Sequence, residues 1–127
     1  LFQPDYGTAR ADFPGGSATD LFDSVQRLYE LRGQTRVYTG HDYQPDGRPL
    51  EFESTIATQR EHNVQLTGKT SRDDFVRFRE TRDSELAVPR LILPSVQVNI
   101  RAGHMPEPES DGHSYLKIPV NVIGGDK

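Results

Sequence analysis

Two glycine-led stretches stand out in this chain, Gly7-Thr8-Ala9-Arg10-Ala11-Asp12-Phe13 and Gly40-His41-Asp42-Tyr43. The first lies inside a Pro-, Gly- and Asp-rich opening, residues 1–16, which reads as loop. Asp12 stands in that loop beside Arg10, between Gly7 and the pair Gly15-Gly16. The second stretch follows Thr35-Arg36-Val37-Tyr38-Thr39, whose β-branched and aromatic residues predict a short strand. His41 therefore sits just beyond the carboxyl end of a strand, where active-site residues of α/β folds collect. Gly40 before it lets the backbone bend. A carboxylate and an imidazole both suit zinc or iron. On spacing alone, the metal role is the minority reading, and Asp12 and His41 read first as a loop-capping aspartate and a surface histidine.

Helices are predicted on either side. Ser17 caps the first, with Asp20 three residues on and an apolar stripe of Leu21, Val25 and Leu28, widened by Phe22 and Tyr29. Gly33 stands where that helix should stop. Gln44 to Pro49 is turn-rich. A second helix is predicted over about Ser54 to Leu66. A third, capped by Ser71 with Asp74, runs to about Glu85. Its dense charges, Asp73 and Arg77 among them, read as a solvated face. Gly15-Gly16-Ser17 could hold an anion, but the Ser17 cap already explains it. The short apolar runs after Pro89 are left unassigned. Tyr115 to Val120 reads as an edge strand, where proline is tolerated. The order of elements predicts an α/β layer with one strand visible and its sheet partners elsewhere.

Composition narrows the classes. The chain has 127 residues, no cysteine and a net charge of −4. Disulfides, thiolate metal sites and a cysteine nucleophile are excluded. A chain this acidic is a poor candidate for non-specific nucleic-acid binding, which needs a basic face. No apolar run reaches the roughly 20 residues of a membrane helix, and residues at the start show no signal-peptide pattern. The expected setting is cytoplasmic, with neither membrane nor nucleic acid as partner. Leu, Ile, Val and Phe supply 30 residues, just above the roughly 20% level at which disorder becomes the default. Mean hydropathy is −0.71, so the core must be thin. The chain opens on Leu1 and its one methionine is Met105, so it reads as a piece of something larger. His62, His104 and His113 fall in polar surroundings and read as surface residues. Walker, dinucleotide and nucleophile-elbow motifs are absent from the sequence.

Taken together, Gly7 to Phe13, Gly40 to Tyr43, Glu53-Ser54-Thr55, Gln59-Arg60 and Asn63 resemble the C-terminal half of a metallo-β-lactamase-fold hydrolase. The resemblance is to the persulfide dioxygenase branch, near glyoxalase II, and within it to the bacterial β-lactamase hydrolase-like subgroup. That subgroup has a similar opening over Pro4 to Gly16, a similar stretch over Leu91 to His104 and a similar Tyr115 to Pro119 tail. The resemblance implies that residues 1–127 form half of an αβ/βα sandwich. It implies Asp12 and His41 as metal-site residues, Tyr43 as a hydrogen-bond donor beside the open metal positions, and Arg10 as substrate-binding. The implied metal is Fe(II) for a dioxygenase acting on a thiol persulfide, or Zn for a dinuclear thiolester hydrolase. The H-x-H-x-D-H motif of the family is absent from the sequence, and Ala9 and Ala11 replace residues of the G-C-G-R-T-D-F pattern. A third reading follows: by itself the chain is a non-catalytic part, completed by the missing N-terminal half or by a second copy.

Overall fold

The computed structural model describes residues 1–13 and 15–118. The chain divides into two units, Leu1–Leu86 and Ala87–Lys127. In the first, α1 (Ala18–Tyr29) is followed by β1 (Arg36–Tyr38), a single 3₁₀ turn (Pro45–Gly47), β2 (Glu53–Thr55), α2 (Ile56–His62) and α3 (Arg72–Ser84). The two strands pair antiparallel, Val37 opposite Ser54. Part of the missing sheet is therefore supplied by the chain itself.

Ser17 caps α1 as its sequence predicts, its side chain accepting from the Asp20 amide. The buried face is Ala18, Phe22, Val25 and Tyr29, and Leu28 is exposed. The predicted stripe is thus rotated. Tyr29 fixes the rotation, because its hydroxyl donates to the Leu66 carbonyl at 2.6 Å and to the Gln59 carbonyl at 3.2 Å. Burial pushes its pKa up to about 12. Phe22, Val25 and Tyr29 meet Ile56, Leu66 and Phe75 in a small core, with Leu1, Leu21 and Val37 packed against it.

The second helix is shorter than predicted, and Ser54 belongs to β2. Thr55 is extended and caps α2, accepting from the Thr58 amide. After His62 the chain turns on Asn63, whose side-chain oxygen accepts the amides of Gln65 and Leu66, each at 3.0 Å. Leu66 is buried through this turn and not through a longer helix.

Ser71 and Asp74 cap α3 reciprocally. Arg77 pairs with Asp74 and not with Asp73. The solvated reading of the charge run holds for most of it but fails at Arg79 and Asp83, each 3% exposed. They lie four and eight residues after buried Phe75, on the same face of the helix.

In the second unit, the unassigned apolar stretch forms α4 (Ile92–Asn99). Pro94 falls in its first turn, where no amide donor is needed. Tyr115 to Ile118 form no strand; Pro119 and Val120, the rest of that predicted strand, lie outside the described residues. No helix among the described residues is long and apolar enough to cross a membrane.

Candidate metal and substrate-binding site

The Gly7 to Phe13 loop is fixed by polar side chains from beneath. A tight turn opens it, with the amides of Tyr6 and Gly7 donating to the Gln3 carbonyl. Gly7 has φ +104°, a conformation that glycine alone adopts at little cost. Gln65 reads the backbone on both sides of Gly7. Its Oε1 accepts the Thr8 amide at 2.9 Å, and its Nε2 donates to the Tyr6 carbonyl at 2.9 Å. Asn63 donates to the Gly7 carbonyl, and Gln59 to the Phe2 carbonyl. Asp83 accepts the Ala11 amide at 2.7 Å.

On that loop Arg10 and Asp12 form a planar fork. Arg10 Nε and Nη2 donate to the two oxygens of Asp12, each at 2.6 Å. The guanidinium also lies over the Phe13 ring, 4.8 Å from its centroid. Arg10 holds the Asp12 carboxyl below the usual carboxylate range, chiefly by these hydrogen bonds. Asp12 borders a shallow groove with Ala11, Gly16, Ser17, Glu80 and Asp83.

The second loop leaves β1 at Thr39, whose amide donates to the Phe52 carbonyl. The residue that organises it is Asp42, which sequence reading passed over. Its carboxylate is 2% exposed. It accepts two hydrogen bonds from Arg48 at 2.8 Å and one from the Glu51 amide at 2.7 Å. Arg48 lowers the Asp42 pKa, mainly through these hydrogen bonds, and backbone amides add to the effect. Arg48 also donates to Asp5, so one guanidinium ties the two loops together. Beside it the Tyr43 ring stacks on Tyr6 with centroids 4.4 Å apart and meets Phe2 edge-on at 5.2 Å. The His41 ring lies 6.3 Å from Tyr43.

The expected residues thus fall into two groups, Arg10 with Asp12 and His41 with Tyr43. His41 and Tyr43 are exposed, as are His62, His104 and His113. Among the described residues no group of three or more His, Asp or Glu side chains is placed to hold a metal ion. A carboxylate with both oxygens on one guanidinium is also a poor open ligand. The described residues do not fit a self-sufficient metal centre. Sequence reading missed Asp42, Arg48, Gln65, Arg79 and Asp83. The Phe75, Arg79, Asp83 spacing was the available signal for the last two.

The chain as a whole is similar to known proteins. No family model matches the chain. A β-lactamase hydrolase-like protein of Agrobacterium fabrum is 55% identical over 125 residues, which are 98% of this chain and 29% of that protein. A Burkholderia pseudomallei protein named "probable metallo-hydrolase" is 52% identical over 97% of this chain and 42% of its own length. The crystal structure of ETHE1 from Myxococcus xanthus superposes with a TM-score of 0.69 at 36% identity, covering 82% of this chain and 42% of that one. The chain is a C-terminal part of a metallo-β-lactamase fold. This part of the metallo-β-lactamase fold spans 29% to 42% of the length of the two curated relatives above. The two loops that sequence reading singled out lie in the unit that carries its two-stranded sheet.

Proposed function

We propose that the chain belongs to a metal-dependent enzyme, an iron persulfide dioxygenase, which oxidises a thiol persulfide with O2 and water to thiol and sulfite. The metal is held chiefly by residues outside this chain. In this reading Asp12 is not a metal ligand; it holds Arg10. The observation that carries the assignment is the Arg10–Asp12 fork on a loop locked to α3 by Asp83. A guanidinium fixed in this way sets a permanent positive charge on the loop, which suits a negatively charged persulfide. Tyr43, stacked on Tyr6, has a fixed ring, so its hydroxyl can donate to the substrate from the loop that follows β1.

The second reading is a dinuclear zinc thiolester hydrolase. It is favoured by the relative named as a metallo-hydrolase. The test is oxygen uptake by the full-length protein with glutathione persulfide, run beside a thiolester-cleavage assay and metal analysis. The expected result is uptake of O2 with sulfite formed in step and iron in the protein. Thiolester cleavage without O2 uptake, with two zinc ions bound, would transfer the assignment to the hydrolase.

A further inference from the structure

The fork between Arg10 and Asp12 cannot by itself place Arg10, because both partners ride on the same loop. The loop must be referred to something rigid. Ala11 stands between the two, and its amide donates to Asp83 Oδ2 at 2.7 Å. Two residues before Arg10, the Thr8 carbonyl and hydroxyl each accept from Arg79 at 3.3 Å. Arg79 also donates to Gln65 Oε1 at 3.1 Å. Arg79 and Asp83 pair with each other at 2.7 Å, with both side chains 3% exposed.

A charged pair this deeply buried is a weak source of net stability, because desolvation offsets the attraction. Two apolar side chains could fill the same space on α3. What they could not do is grip the backbone on either side of Arg10. We infer that Arg79 and Asp83 are positioning residues: α3 carries a buried ion pair in order to fix the Arg10 loop in the orientation that receives an anionic substrate. The inference rests on the substrate-binding role proposed for Arg10.

The test is the double variant Arg79→Met/Asp83→Leu in the full-length protein, which removes the grip without leaving a lone buried charge. Hydrogen–deuterium exchange of residues 7–13 is expected to quicken at least tenfold while α1 exchanges as before. KM for glutathione persulfide is expected to rise about tenfold, with the loss falling on KM more than on kcat. If either residue 7–13 exchange or KM stays at its wild-type value, the positioning role is overturned. If the wild-type protein consumes no oxygen with the persulfide, the activity reading has failed and exchange alone decides the inference. If the variant does not fold, the wild-type protein decides. An Ala11 amide exchanging as slowly as the amides of α1 supports the role, and exchange at a free-loop rate overturns it.

Discussion

Gly7→Ala is expected to destabilise the Leu1–Leu86 unit by about 3 kcal/mol or more. Two costs add. The backbone at φ +104° is strained for any residue with a Cβ, at about 1–3 kcal/mol. The new Cβ would also lie 2.2 Å from Gln65 Cδ. Gln65 cannot simply swing away, because its amide holds the Thr8 amide, the Thr8 hydroxyl and the Tyr6 carbonyl. Moving it strips partners from Thr8, which is 3% exposed, at about 1–3 kcal/mol per unsatisfied group. A domain's whole stability is roughly 5–15 kcal/mol, so the urea midpoint of the full-length protein should fall visibly. A change below about 1 kcal/mol would show that the loop is not locked through Gln65.

Asp83→Ala is the second large effect. It leaves the Arg79 guanidinium buried without its partner and removes the acceptor of the Ala11 amide. Breaking a buried pair from one side costs about 3–5 kcal/mol. Replacing both members with Met and Leu should recover most of that, to within about 2 kcal/mol of wild type, since no lone charge remains. Urea unfolding of wild type, single and double variants measures both terms. A single variant as stable as the double one would mean that water reaches Arg79.

The elements that sequence reading placed well are those with local causes. Ser17 and Ser71 cap the helices they were read to cap, because a capping hydroxyl needs only its own next turn. Thr35 to Thr39 contains β1 for the same reason. The failures lie where tertiary contacts decide. Ser54 pairs across to Val37, and nothing local in Glu53-Ser54-Thr55 announces it. Leu28 is exposed because the Tyr29 hydroxyl has distant carbonyl partners. Asp42 carries no local sign of its role, because its partner Arg48 lies across a turn. The motif loops themselves were legible as motifs. What grips them was not, because Gln65, Arg79 and Asp83 come from other elements and their side chains bind backbone, which carries no sequence signature.

In the proposed assignment Asp12 serves Arg10 while the metal is held mainly from outside this chain. Metal content of the full-length Asp12→Asn variant, set beside wild type, tests it most directly. Iron near one per chain is expected in both. Iron present in wild type and near zero in the variant would return Asp12 to the metal and contradict it.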